Sequence, residues 1–448
     1  MSRRIATVLA AGSTLGLGGF AQAQTAASLD LDRAYAAELA ADAAQRASAA
    51  AADESAGFDI AGKDGATLNI GALVQFRYTA NFRDEDAAGV GSSGDFTHGF
   101  EIPRAQLRFS GNVINDRIRY YIEGDFGEVN SAENDFQIED AWIEYDFAGS
   151  LEGVTVRAGQ FKLPLIYEEL VHPEYSQTVD RSVANEVFSQ QRSQGIQFAY
   201  TSDAWRAMVA VSDGLATGGS GFAGAEADIA LTGRFDYKFE GDWDAFNDFS
   251  SFQTDEAAYR VGAALHWETW GDTNNAAAGG LASAPLGTLS GTTDGQLIAY
   301  TFDAQLEFGG WNFYGAFLGS YVDSDASTAG AAGVGEFNDF GVVAQAGYFV
   351  TEQVELFARY DGVFVDDERA GFSGAGAEDN FNFVTFGGTY FFVPESHALK
   401  FTTDVVISID ETASLSGAGL GGSSSITGIL GQAEEPEIAV RAQLQLVF

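Results

Sequence analysis

From Thr67 to the last residue, Phe448, apolar and polar side chains alternate, which is the rhythm of a strand wetted on one face only. Ala72, Val74, Phe76 and Tyr78 share one side of the first such stretch, and Gln75 and Arg77 take the other. Turn-forming clusters cut the alternation into sixteen expected strands: 67–82, 100–111, 117–127, 137–147, 153–161, 193–201, 204–212, 227–239, 257–269, 295–308, 311–322, 338–350, 353–365, 380–392, 397–409 and 437–448. Most are close to the roughly 9–11 residues that a tilted strand needs to cross a bilayer. An even number with both ends on one side is what a closed antiparallel sheet demands. The connections alternate too, long after odd-numbered strands and tight after most even-numbered ones, as at Asn112-Val-Ile-Asn-Asp116, Thr201-Ser-Asp203 and Gly309-Gly310. That asymmetry belongs to barrels that cross a membrane with long loops on one side and short turns on the other. The expected fold is therefore all-β, a sixteen-stranded antiparallel transmembrane β-barrel with a short N-terminal helical segment. One connection, Glu240 to Glu256, is long where the pattern asks for a short turn, and the pattern offers no account of it.

With apolar positions facing lipid, parity turns the remaining side chains into the lumen. Arg77, Arg104, Arg108, Arg117, Arg119, Arg157, Arg206, Arg234, Lys238, Arg260, Arg359, Lys400 and Arg441 fall on that inner face. So do the acids Glu123, Asp125, Asp140, Glu144, Asp146, Asp236, Asp303, Glu307, Glu355, Asp361 and Asp404. Charge is costly on the lipid face of any barrel, so these groups either brace neighbouring strands in pairs or line a passage. Six of the arginines, Arg77, Arg104, Arg108, Arg117, Arg119 and Arg157, concentrate on the first five strands, as a constriction would require.

Composition adds limits. Among 448 residues there is no cysteine, so no disulfide or thiolate metal site is available, and the histidines His98, His172, His266 and His397 have no metal-ligand spacing. No cofactor or metal is expected. Met1 to Ala23 reads as a secretory signal peptide, with Arg3 and Arg4, a weakly apolar middle and the small-residue site Ala21-Gln-Ala23. After it no run of 18 apolar residues occurs, which excludes a helical span. Residues 24–58 are alanine-rich, with Leu31, Tyr35 and Leu39 at helical spacing, and form either a periplasmic helical stub or a flexible spacer before a barrel domain over 59–448. The formal charge of −41 becomes −43 once Arg3 and Arg4 leave with the signal, which argues against nucleic acid as a partner.

The stretch from Glu101 to Tyr200 is the most specific. It contains Arg104-Ala-Gln-Leu-Arg-Phe-Ser, then Gly159-Gln-Phe-Lys-Leu-Pro-Leu-Ile-Tyr-Glu-Glu-Leu, Arg181-Ser-Val-Ala-Asn-Glu-Val-Phe and Gly195-Ile-Gln-Phe-Ala-Tyr. Its middle does not alternate and carries Pro164 and Pro173, so residues 162–192 read as a long loop that leaves the sheet and returns to it. This order of features resembles the phosphate-selective porin O and P family of bacterial outer membranes. The resemblance implies a sixteen-stranded, usually trimeric barrel that passes small solutes passively, with anion or phosphate preference in the named members. It also implies that the loop folds into the pore, which would bring Lys162, Glu168, Glu169, Glu174 and Asp180 opposite the arginines. The resemblance implies many lumen and loop lysines and arginines, whereas this chain has only four lysines, Lys63, Lys162, Lys238 and Lys400. The last strand, ending Leu444-Gln-Leu-Val-Phe448, is similar to the signal by which such barrels are recognised by their assembly machinery.

Expected partners are small hydrophilic solutes or anions and outer-membrane lipid and lipopolysaccharide. The alternative is a structural or adhesive surface barrel without channel activity, since the outer loops are long and acidic. An enzyme is not expected, because no Gly-x-Ser-x-Gly or other nucleophile motif accompanies the scattered histidines. Asp323-Ser-Asp325 and Asp366-Asp-Glu368 lack the spacing and glycine of a calcium loop and read as solvated tips.

Overall fold

The computed structural model describes residues 57–62, 65–83, 95–127, 136–219, 221, 226–271, 292–326, 335–367, 379–412, 424–430 and 436–448. The signal peptide and the alanine-rich segment up to residue 56 lie outside them. The first strand is short, β1 (Phe58–Ala61), and forms a hairpin arm on the start of β2 (Thr67–Phe82). There follow β3 (Phe96–Asn112), β4 (Ile118–Asp125), β5 (Gln137–Asp146), β6 (Val154–Lys162), β7 (Arg192–Thr201), β8 (Trp205–Ser212), β9 (Ile229–Glu240) and β10 (Ala258–Trp270). The second half comprises β11 (Thr292–Phe308), β12 (Trp311–Ala326), β13 (Gly335–Thr351), β14 (Val354–Phe364), β15 (Asn380–Phe391), β16 (Leu399–Ser408) and β17 (Ile438–Val447).

From β2 onward each strand pairs antiparallel with the next, and β17 returns to β2 with Val447 opposite Leu73 and Ile438 opposite Phe82. Sixteen strands thus close on themselves, so that each strand of the ring has a paired neighbour on both sides, and β1 takes up the start of β2 below the seam. Phe448 completes the seam: Ala72 N donates to its carbonyl at 2.7 Å, and its own N–H donates to Ala72 O at 3.1 Å. Every expected strand is present with ends shifted by a few residues, and β2 has the expected bounds.

The faces divide as the alternation requires. Val74 and Phe76 are 41% and 48% exposed, whereas Gln75 and Arg77 between and beside them are fully buried. A soluble protein does the reverse; here the outer surface meets hydrocarbon and the polar groups satisfy one another within. Trp205, Tyr237, Tyr259, Trp311, Tyr348 and Tyr390 stand exposed near the short-turn ends of their strands, an aromatic girdle for the membrane interface.

One expectation needs correction. Parity was to leave the lumen polar, yet Leu318, Val322, Phe337, Val343, Val363, Phe381, Phe383 and Val406 point inward and are at most 3% exposed. They form one buried cluster with Leu163, Leu165, Ile166, Val183, Val187 and Phe188 from residues 163–191. On β10 to β16 the inner wall therefore carries an apolar patch that seats an inward-folded loop, beside buried charged groups such as Arg260, Asp303, Arg359 and Asp404. That seat supplies the apolar burial that positions the loop.

Candidate functional site

Three residues before the loop leaves the wall, β6 passes a point where only glycine fits. Gly159 has φ +139°, and a Cβ there would lie 2.1 Å from Ala141 O on the neighbouring strand. Past Lys162 the chain turns inward and forms three short helical pieces, Tyr167–Leu170, Pro173–Tyr175 and Val183–Phe188. Ser182 caps the last of them by accepting from Asn185 N at 2.9 Å. Opposite, Gly347 on β13 lets the loop approach, because a Cβ there would sit 1.9 Å from Gln177 Nε2.

Carboxylates of the loop bind arginines of the wall directly, with no gap between them. Asp180 takes Arg77 Nη2 at 2.6 Å and Arg104 Nη1 and Nη2 at 2.9 and 3.1 Å. Glu174 binds both terminal nitrogens of Arg108, whose Nε also meets Glu123 at 2.7 Å. Glu168 accepts from Ser182 Oγ and N at 2.6 and 2.7 Å and lies 3.7 Å from Arg359. Glu169 sits 3.2 Å from Lys162 and 3.4 Å from Arg181, and accepts from Asn185 Nδ2 at 2.9 Å. Arg441 is held by Asp404 at 2.7 Å, and donates to Ile426 O at 2.6 Å from residues 424–430 of the last long connection, which also fold inward.

Burial alone would keep these loop acids neutral, so their ionisation depends on the partners. For Glu169, burial is outweighed by Arg181 and Lys162, and its carboxyl is held down to about 2. For Glu174, burial is outweighed by Arg108 and the value is likewise about 2. Asp180, buried but facing Arg104 and Arg77, is held well below the usual carboxylate range. Glu186 is the opposite case: burial, with Glu169 and Asp180 nearby, pushes it up to about 8.

The nine residues expected at a constriction fall into two tiers. Arg77, Arg104, Arg108, Lys162, Glu168 and Glu169 gather around the loop. Arg119 and Arg157 lie nearer the short turns, both on Glu144 at 2.6 and 2.9 Å, with Arg119 also 3.1 Å from Asp146. Arg157 lies 4.0 Å over the Trp142 ring. Arg117 is exposed in the turn before β4, outside the strand in which it was expected. Sequence reasoning missed Arg192, the first residue of β7, which binds Glu139, Asp140 at 2.9 Å and Glu123 at 3.4 Å.

Water reaches the basic groups unequally. Side-chain exposure is 44% for Arg119, 27% for Arg157, 25% for Arg206 and 19% for Arg192, against 5% or less for Arg77, Arg104, Arg234, Arg260, Arg359 and Arg441. Of the acids that hold them, Glu123, Glu139, Asp140, Glu144 and Asp236 are largely covered, whereas Asp146 beside Arg119 is 32% exposed. The wetted inner wall, on β4 to β8, thus presents guanidinium in a chain whose overall charge is −41.

The sequence model of the family described as phosphate-selective porin O and P matches residues 73–375. No curated protein matches the sequence. Among solved structures, an anion-selective porin from Comamonas acidovorans is 13% identical, with 86% of this chain and 100% of that one covered and a TM-score of 0.55. The outer-membrane channel DcaP of Acinetobacter baumannii is 14% identical over 87% and 99%, with a TM-score of 0.53. OmpT of Vibrio cholerae, in vitro folded and in trimer form, is 10% identical over 86% and 100%, with a TM-score of 0.51. At these identities the likeness is one of fold.

Proposed function

We propose a function from one premise: the chain belongs to the phosphate-selective porin O and P family. It is accordingly an outer-membrane channel for passive diffusion of solutes, and family and fold point to a channel rather than an enzyme. Beyond that, we read the channel as preferring small anions that travel along the β4 to β8 side of the lumen. The observation that carries this reading is the uneven wetting: the guanidinium groups of Arg119, Arg157, Arg192 and Arg206 keep water contact while their counter-carboxylates, Asp146 excepted, do not. Low-dielectric walls focus such a field and raise the local concentration of ions of opposite sign. A planar, bidentate donor also suits carboxylate, phosphate and sulfate groups.

The pairing of Arg77, Arg104 and Arg108 with loop acids assigns them a second role, holding the loop rather than greeting the solute. Residues 1–23 are read as a cleaved export signal, 24–58 as a periplasmic segment and 59–448 as the pore domain. A homotrimer is part of the same reading, in line with the trimer form of the Vibrio cholerae barrel; so are lipopolysaccharide around the loops and delivery by the barrel assembly machinery. The test is the reversal potential in a salt gradient for Arg119→Gln, Arg157→Gln and Arg206→Gln combined. A move toward cation permeability is expected, and an unmoved potential would reduce these arginines to wall braces.

A further inference from the structure

The connection between β9 and β10 should be a short turn, and instead it re-enters the barrel. Residues 241–257 run inward from the short-turn end, with a single turn of helix at Trp243–Phe246, and bury Phe246, Phe249 and Phe252. With Trp243 these aromatics recur every third residue in a segment otherwise rich in Asp, Asn and Ser. Phe246 and Phe249 join the same buried cluster as the apolar residues of the inward loop.

The two segments touch at several points. Tyr167 of the loop donates its hydroxyl to Phe246 O, and Phe249 N donates to Tyr175 O at 3.3 Å. Arg260 packs between them, 3.2 Å over the Tyr167 ring and 5.8 Å from that of Phe246. The Glu355 carboxylate, wholly buried, joins both segments: Gln177 Nε2 of the loop donates to it at 2.5 Å and Ser250 Oγ of the connection at 3.3 Å. Asn312 adds a third bond to Glu355 at 2.7 Å. On the far side Asp248 lies 3.2 Å from His397 Nε2, and the His397 ring meets Tyr175 at 5.2 Å and Phe252 at 5.6 Å.

We propose that residues 241–257 are a prop that fixes the inward loop from below, with Glu355 as the shared joint, so that the bore is set from both ends of the barrel. A loop anchored only at its two strand ends can sample many positions, and each extra anchor at a new point removes some of them. The prop also fills the short-turn end of the β10 to β16 side, which confines solutes to the β4 to β8 side. This inference rests on the channel reading above and concerns positioning, since neither Glu355 nor the phenylalanines need touch the solute.

The experiment compares the wild type with a chain in which residues 242–256 are replaced by a two-residue Asn-Gly turn, and with Glu355→Ala, Glu355→Gln and Phe246→Ala. Folding is checked by heat-modifiable migration, and single-channel conductance, open-state current noise and the size cut-off for neutral sugars are read in lipid. The shortened chain should conduct more, with loss of the sharp size cut-off. Glu355→Ala and Phe246→Ala should add open-state noise, and Glu355→Gln, which keeps an acceptor for Gln177, should restore a quiet current. Wild-type conductance, noise and cut-off in a folded shortened chain would overturn the proposal while leaving the channel reading intact. If that chain does not fold, currents of wild-type quietness in Glu355→Ala and Phe246→Ala would overturn it equally. A wild-type protein that never conducts would overturn the channel reading and the prop with it.

Discussion

Replacing Asp180 with asparagine isolates one buried junction between loop and wall. The carboxylate has 1% side-chain exposure, and it neutralises Arg77 at 2.6 Å and Arg104 at 2.9 Å, themselves 0% and 5% exposed. Asparagine keeps the shape and one acceptor but leaves two buried guanidinium groups short of their counter-charge. Breaking a buried pair from one side costs about 3–5 kcal/mol. At about 1.4 kcal/mol per decade, that raises the undocked fraction of the loop by roughly two to three and a half orders of magnitude. The apolar seat on β10 to β16 still holds the loop's other half, so the barrel itself should stay closed. The expected result in a planar bilayer is larger and noisier single-channel current with stronger anion preference, while heat-modifiable migration stays that of a folded barrel. A compensating chain, Arg77→Gln and Arg104→Gln with Asp180→Asn, should recover a quiet current, because no buried guanidinium is then left without its counter-charge. A single Asp180→Asn variant with wild-type conductance and noise would refute the claim that these pairs hold the loop.

Glu186 should act as a pH-dependent charge beside the loop. Burial, with Glu169 and Asp180 nearby, pushes its carboxyl up to about 8, so it is neutral at pH 7 and ionises above that. Raising the pH from 7 to 9 should therefore shift the reversal potential toward cations, and Glu186→Gln should abolish the shift. The sign for stability follows: a raised folded-state pKa gives stability that is complete below the ordinary glutamate value and lost as pH climbs through about 8. Glu169 and Glu174 run the other way, since both are held down to about 2, so their contribution is present above the ordinary value and fades as pH falls toward 2. Current noise should accordingly stay flat from pH 7 to pH 5 and rise in stronger acid; a rise already at pH 5 would contradict these pairings. Gly159→Ala should lower thermal stability by about 1–3 kcal/mol, the usual cost of forcing atoms into filled space, measured by the temperature at which the heat-modifiable form is lost.

The alternation revealed the barrel because every strand has a lipid face, and charge is costly there. Phe76, Phe109 and Leu444 mark it as clearly as Arg77, Arg108 and Gln443 mark the inner face. The inward seat was hidden for the same reason. In β12 and β15 both parities are apolar, so Leu318, Val322, Phe381 and Phe383 read as lipid-facing noise instead of a floor for the loop. Loop–wall pairing was legible as opposite charge but not as partners, because Asp180 to Arg77 spans a hundred residues of chain and parity says nothing about height. Arg192 escaped because it opens a strand directly after the loop, where no alternation yet assigns a face. A usable clue to the prop lay in Phe246, Phe249 and Phe252: three rings at regular spacing in a connection that should meet water need a buried partner.

Anion preference depends on a closed sheet whose β4 to β8 side wets its arginines more than most of the acids that hold them. The most direct test is the zero-current potential of the unmodified protein across a tenfold potassium chloride gradient in a neutral bilayer, with phosphate then added to compete. An anion-selective potential and a chloride current reduced by phosphate are predicted. A cation-selective potential, as the net charge of −41 alone would suggest, or no conductance at all, would contradict it.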